Sequence, residues 1–206
     1  MKVSQAQSAD NRQAILAAAA TLYRERGFAG VGVADISRAA GFSHGGFYGR
    51  FESKQALAAE ACEAAFAVAL PRLQASLDKH GGDLRPFIQN YLTPRHRDAP
   101  GSGCPMPTLA IDAARAAGPV AAAMTQGISG YLHTLATHRP DGSVTEAPTD
   151  ADKARAIGTL SALVGGMVLA QATAEAAPAL SDEILAVLQA LLLSPPATSA
   201  AAPPAA

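Results

Sequence analysis

Tryptophan is absent from the 206-residue chain, aromatic side chains are limited to six Phe and four Tyr, and cysteine occurs only at Cys62 and Cys104. A core of stacked rings is therefore excluded, and the interior must be built from Ala, Leu, Val and Ile. Two cysteines are too few to staple a small secreted scaffold, which points to a reducing compartment, the cytoplasm. Charge is also sparse. Charged residues make up 16% of the chain against 49% hydrophobic, which excludes a solvated, disordered polymer. The formal net charge is -1, split unevenly: residues 1–60 hold seven basic and five acidic side chains, the remainder nine and twelve. Any polyanionic partner is expected at the N-terminal end. Long hydrophobic runs are few. The one following Arg12 meets Tyr23-Arg24-Glu25-Arg26 where a signal-peptide cleavage region would have to lie. The uncharged stretch between Arg155 and Glu175 approaches the roughly 20 residues that a membrane span needs. Gly158, Thr159, Ser161, Gly165, Gly166, Gln171 and Thr173 interrupt it, so it is expected to be a helix buried all round by protein, with no membrane partner.

What is abundant is helical periodicity. Ile15, Leu16, Ala19, Leu22 and Tyr23 recur at steps of three and four between Arg12 and Arg26, and Gly27 supplies a stop. Val33, Ile36, Ala39 and Ala40 form a second short face ended by Gly41; residues 44–50 suit a third helix of about two turns. After Phe51-Glu52-Ser53 a long pattern runs through Leu57, Ala61, Ala64 and Val68, continuing past Pro71 only with a kink. Gly81-Gly82 marks a boundary, and Asp83 caps a helix through Phe87, Ile88, Tyr91 and Leu92. Pro94 to Pro107, dense in Pro and Gly, predicts a loop. Leu109, Ile111 and Ala114 begin a helix that stops at Gly118-Pro119, and Val120, Met124, Ile128, Tyr131, Leu132 and Leu135 stripe the next. Thr149 or Asp150 caps the uncharged helix, and Ser181 with Asp182 and Glu183 opens the last. No strand, repeat or glycine-rich phosphate loop is evident. The expected fold is all-α, with about nine helices.

The second and third helices, joined by Gly41-Phe42-Ser43, have the dimensions of a helix-turn-helix braced by the first. Over Ile15 to Leu57 the chain resembles the DNA-binding domain of tetracycline-repressor-type (TetR family) regulators. Ile15, Ala18, Leu22, Gly27, Phe28, Val33, Asp35, Ile36, Ala39, Ala40, Gly41, Ser43, Gly45, Tyr48, Phe51, Lys54 and Leu57 stand in family register. The resemblance implies a DNA-binding transcriptional regulator, more a repressor than an activator. It would act as a homodimer that places two recognition helices in successive major grooves, about 34 Å apart, over a palindromic double-stranded operator. It also implies a division into a DNA-binding domain over 1–54, a helical effector-binding and dimerisation domain over 55–194, and a disordered tail over 195–206. Chemically, Ser43 and the amides after it suit a phosphate at a helix N-terminus, and Gly45 and Gly46 let backbone come close. Tyr48 has a ring to anchor and a hydroxyl for phosphate; Lys54 places a cation at a helix start, where it wants an external anion. His44 and Arg50 are the remaining polar candidates. Gly32 departs from the family's usual Ser or Thr and removes a capping hydroxyl. With Gly46 and Gly49 where base-contacting residues often stand, discrimination falls on His44, Tyr48, Arg50 or DNA shape.

In the C-terminal part, Phe87, Tyr91, Met106, Leu109, Met124, Ile128 and Tyr131 are candidates to line an apolar pocket for a small-molecule effector, which would release DNA by a population shift. Cys104 precedes a helix and follows Arg95, His96 and Arg97, all of which favour thiolate if the loop brings them together, so a redox or electrophile sensor is an alternative. Gly158, Leu163, Gly165, Gly166, Met167, Leu188 and Leu192 suit a four-helix dimer interface, two helices from each chain. An enzyme would have to use Cys104 with His96, or His133 and His138 as metal ligands at a spacing that puts them on different helix faces. A helical adaptor binding protein through the uncharged helix is a third class. Neither explains the register around Ser43, Tyr48 and Lys54, and neither an enzymatic activity nor a cofactor or metal is expected.

Overall fold

The computed structural model describes residues 5–42, 51–139 and 142–194. Nine α-helices lie within them: α1 Gln5–Arg26, α2 Val33–Ala39, α3 Lys54–Lys79, α4 Arg85–Tyr91, α5 Pro94–Arg97, α6 Met106–Ala116, α7 Gly118–Thr137, α8 Asp150–Thr173 and α9 Pro178–Leu193. The helix expected over 44–50 and the tail from 195 lie outside the described residues.

Burial follows the apolar period. On α1, Ile15, Leu16, Ala19, Ala20, Leu22 and Tyr23 are buried, whereas its first turns are polar. The helix begins at Gln5, ahead of the Arg12 where the apolar period starts, and only its C-terminal half has a face to bury. It ends at Gly27, whose φ of +70° favours glycine, and the Gly27 N–H donates to the Tyr23 carbonyl at 2.8 Å. α2 ends with the Phe42 N–H donating back to Ser37 O at 2.8 Å.

α3 is the central pillar, packed on α1 along one side and on α7 along the other. Its N-cap Ser53 accepts the Ala56 N–H at 3.0 Å, and the helix runs through Pro71 to Lys79 on an exposed side. α8 packs against α7 and α9, and α9 also touches α4.

Four expectations change at this level. The segment over 94–107 is not only loop: Thr93 caps the single turn α5, accepting the His96 N–H at 3.2 Å, and a 3-10 turn follows at Pro100–Ser102. Proline is tolerated in those first turns because the amide it lacks has no intrahelical acceptor. α9 starts at Pro178, three residues before Ser181; the buried Ser181 hydroxyl donates to Ala170 O at 2.7 Å and ties α9 to the end of α8. α8 is capped reciprocally by Thr149 and Asp152, but it is not buried all round. Ala156, Leu160, Leu163, Met167 and Ala170 face inward, while Ile157, Val168 and Leu169 stand exposed. α8 is long and apolar enough to cross a membrane, yet one side of it packs on α7 and α9. Lastly, Asp83 does not cap α4, whose N-cap is Leu84; it accepts the Arg85 N–H at 2.9 Å from outside the helix. As expected, there is no strand among the described residues, His138 and Val144 forming only an isolated antiparallel bridge beyond α7.

A single residue, Ala117, joins α6 to α7. Ala117, with φ 55° and ψ −165°, is the one non-glycine residue at positive φ among the described residues. Gln55, at the start of α3, donates to the neighbouring Ala116 carbonyl at 3.2 Å.

Candidate functional site

Two sites are built on this frame. The first is the N-terminal helical segment. Gly32 is the N-cap of α2; it has no side chain to accept a helix amide, and its own N–H donates to Asp35 Oδ2 at 3.0 Å. Ile36 and Val31 are fully buried beneath it, which sets the angle of α2 on α1. Lys54 is the first residue of α3 and is exposed, with no carboxylate partner among the described residues. Arg12 is paired with Glu60 and lies over the Phe51 ring at 4.8 Å, bracing α1 against the start of α3. The two flanks of the 43–50 segment are therefore anchored, at Phe42 by its bond to Ser37 and at Ser53 by its cap. Ser43, His44, Gly45, Gly46, Tyr48 and Arg50 lie outside the described residues.

The second site is a cavity of about 470 Å³ between α3, α4 and the 93–104 segment. Of the residues expected to line a pocket, Phe87, Tyr91 and Tyr131 do so. Met106, Leu109 and Met124 are instead core side chains, 1 to 4% exposed, and Ile128 packs half-buried against that core. The walls that sequence reasoning did not anticipate are Arg72, Ser76, Asn90, Arg95, His96 and Cys104. Arg72 and Ser76 come from α3, which reads as a plain amphipathic helix, Asn90 from α4, and Arg95, His96 and Cys104 from a segment whose fold depends on its tertiary anchors.

Those anchors are specific. His96 Nδ1 lies 2.8 Å from the Tyr91 carbonyl, and the Cys104 N–H donates to His96 Nε2 at 3.1 Å. An imidazole that donates through Nδ1 and accepts through Nε2 is neutral. Burial, with Arg72 nearby, lowers the pKa of His96 and keeps it so. Cys104 is buried, and burial pushes its thiol up; the hydroxyls of Tyr91 and Tyr131 beside it offset this only in part. The thiolate expected from neighbouring cations does not form. Arg97 turns away to Asp98, Asp182 and Ser181, at 2.7, 2.6 and 2.7 Å, and His96 carries no charge. Burial also raises both phenols, so Tyr91 and Tyr131 remain hydrogen-bond donors. The buried Tyr91 hydroxyl finds no oxygen or nitrogen acceptor. Such a group costs about 1–3 kcal/mol unless something else satisfies it.

The cavity and the N-terminal segment are joined by side chains. Arg24, near the end of α1, donates through Nε at 2.9 Å and also through Nη2 to the Gly101 carbonyl, and Arg72 Nη1 donates to Ser102 O at 2.7 Å. On the other flank, Asp112 of α6 accepts the Phe28 N–H at 2.9 Å, just past the end of α1. The 99–104 loop is thus tied directly to α1 and α3.

The constellations considered for catalysis do not assemble. His96 meets the amide of Cys104, not its thiol, and no carboxylate backs the ring. No cluster of three or more His, Cys, Asp or Glu able to hold a metal occurs among the described residues.

Of the side chains expected at a subunit interface, Leu163 and Met167 are fully buried within the chain, and a methyl added at Gly166 would overlap Leu188 Cδ1. Gly166 thus leaves room for Leu188 of α9 to seat on α8. Gly158 and Gly165 have open space before them, and around them lies an exposed apolar face: Ile157, Val168 and Leu169 of α8 with Leu180, Val187 and Leu191 of α9. Leu192 is half-buried at its edge.

Residues 15–61 match the family model for bacterial regulatory proteins of the tetR family. No curated protein matches the chain. Among solved structures, E. coli NemR in its reduced form shares 24% identity and a TM-score of 0.72, covering 92% of this chain and 100% of that one. A TetR family transcriptional regulator from Cytophaga hutchinsonii shares 23% identity at TM-score 0.68, over 93% and 96% of the two chains. Another from Agrobacterium tumefaciens gives 23% and 0.68, over 87% and 98%. These likenesses show the fold.

Proposed function

We propose, on the premise that the chain belongs to the tetR family of bacterial regulatory proteins, as its residues 15–61 show, that it is a homodimeric repressor released from a palindromic operator by a small molecule. The molecule binds in the cavity lined by Phe87, Tyr91, His96 and Cys104. The observation that carries this reading is the bond from Arg24 to the Gly101 carbonyl. It fastens the cavity's floor to the helix on which the helix-turn-helix is built. A ligand that favours one position of the 99–104 loop favours one position of α1, and with it one spacing of the two recognition elements in the dimer. Affinity for DNA then changes by as much as the ligand's affinity differs between the two positions.

Ser43, His44, Gly45, Gly46, Tyr48, Arg50, Lys54 and, by close approach of its backbone, Gly32 are proposed to meet the DNA, mostly at phosphates, with the exposed Lys54, which has no carboxylate partner among the described residues, in support. The exposed faces of α8 and α9 are proposed to pair with those of a second copy. The test is gel retardation on the chain's own upstream region with excess nonspecific DNA, at several salt concentrations. Specific retention with a salt slope that flattens in Lys54→Ala supports the reading; equal indifference to all fragments sinks it.

A second reading rests on Cys104 being part of the cavity wall. Alkylation of its thiol would fill the cavity as a ligand does. Since the thiol is held protonated, reaction would require a reagent that first occupies the cavity. DNA release by N-ethylmaleimide that survives in Cys104→Ser would remove it.

A further inference from the structure

The cavity has a charge pattern that the regulator reading does not require. Arg72 and Arg95 stand exposed at its lining, and no carboxylate among the described residues pairs with either. Behind the floor, Arg24 is 9% exposed and its guanidinium is met only by a carbonyl oxygen. Burial and the nearby Arg72 both act against its charge. Two guanidinium groups, those of Arg24 and Arg72, therefore meet one loop, with the Glu25 carboxylate behind it against Gly101; Arg95 adds a cation at the lining, which contains no Asp or Glu. Deeper in, the surface changes character. Phe87 and Tyr91 lie with ring centroids 5.7 Å apart, and Tyr131 and Cys104 continue the apolar wall. The Tyr91 hydroxyl is buried without an oxygen or nitrogen acceptor. An electropositive mouth beside an apolar interior walled by aromatic rings describes one kind of occupant.

We propose that the cavity binds a small organic anion with a flat, aromatic body. Its carboxylate-like group is held at the mouth by Arg72 and Arg95, and its ring lies against Phe87 and Tyr131. Arg72 is already oriented by its bond to Ser102 O, so it meets the anion with one nitrogen committed to the loop and the rest of its fork free. This assignment rests on the cavity being the effector site, but its charge requirement stands apart from any effect on DNA.

The test compares 2-naphthoate with 2-naphthamide, a neutral molecule of nearly the same shape, by isothermal titration calorimetry on the full chain. The wild type is expected to bind the carboxylate at least about tenfold more tightly than the amide. In Arg72→Gln/Arg95→Gln that preference disappears while amide affinity holds; both side chains are exposed, and each single variant, expected to lose part of the preference, serves if the double does not fold. Equal affinity for the two probes in the wild type, a preference that survives in the double variant, or no binding of naphthoate at millimolar concentration overturns the proposal. Operator affinity measured in the same solutions separates the two readings. Arginine-dependent naphthoate binding that leaves DNA affinity unchanged supports the anion site and refutes the regulatory coupling. Release of DNA by the amide as readily as by the carboxylate does the reverse.

Discussion

Leu191→Ala should weaken self-association strongly while leaving the fold nearly untouched. Leu191 is 65% exposed in the single chain, at the outer face of α9, beside Val187 at 50%. Complete burial of a leucine contributes about 1.5–3 kcal/mol, so the two-thirds still open here amounts to about 1–2 kcal/mol on entering an interface. Symmetry counts the loss twice, once per protomer, giving about 2–4 kcal/mol and a dissociation constant raised by about 30-fold to 1,000-fold. Leu163→Ala supplies the contrast. Leu163 is 0% exposed on the opposite side of α8, so its truncation leaves a cavity inside the chain and costs about 2–5 kcal/mol of folding stability. Sedimentation equilibrium over a dilution series reads the first quantity, and urea denaturation the second. If Leu191→Ala dimerises as tightly as the wild type, or if the wild type is monomeric at micromolar concentration, the exposed α8 and α9 face is not the contact and the account of the dimer is refuted.

Three further outcomes are expected. Ala117→Gly should stabilise the chain by about 1 kcal/mol, since a backbone at φ 55° and ψ −165° strains an L side chain by about 1–3 kcal/mol and glycine's greater freedom when unfolded returns part of that; a lower thermal midpoint would contradict it. Stability should fall on acidification from about pH 7 to pH 5, because the unfolded chain protonates His96 near pH 6.5 while burial keeps the folded imidazole neutral to lower pH. His96→Gln should flatten that slope in urea melts at the two pH values. Arg24→Met should leave ligand affinity close to that of the wild type and reduce the ligand's effect on operator affinity, measured by fluorescence anisotropy; intact coupling would remove the Arg24 bond from the transmission path.

The helices were legible wherever one face alone is apolar. α1 from Ile15 and α7 from Val120 to Leu135 turn inward the side chains that their periodicity selects, whereas on the short α2 only Ile36 of the selected face is fully buried and Ala39 is exposed. α8 was harder for a physical reason. A helix with apolar residues on both sides gives the same pattern whether the second side meets its own chain or faces outward, so Leu163 and Met167 could not be told from Val168 and Leu169. The 93–104 segment was obscure for another reason. Its one helical turn and its 3-10 turn have little propensity of their own and are held by Thr93, His96, Arg24 and Arg72, contacts that only the tertiary fold supplies. Hence Phe87, Tyr91 and Tyr131 were found from chemistry, whereas Arg72 and His96 were not. Ser181 shows the limit of capping rules: a serine followed by two acids reads as a helix start, but here the hydroxyl is spent on a neighbouring helix.

Arg97 joins two regions that have so far been treated apart. Its guanidinium grips Asp98 in the segment framing the cavity and, on the other side, Ser181 and Asp182 in the opening turns of α9. In a pair assembled through α8 and α9, that clasp makes each pocket a neighbour of the seam between twins. Filling one would tug on the shared boundary, and the second molecule of ligand would meet an altered host. A titration curve for the assembled pair would then depart from a simple hyperbola, and cutting the clasp at Asp182 would restore it.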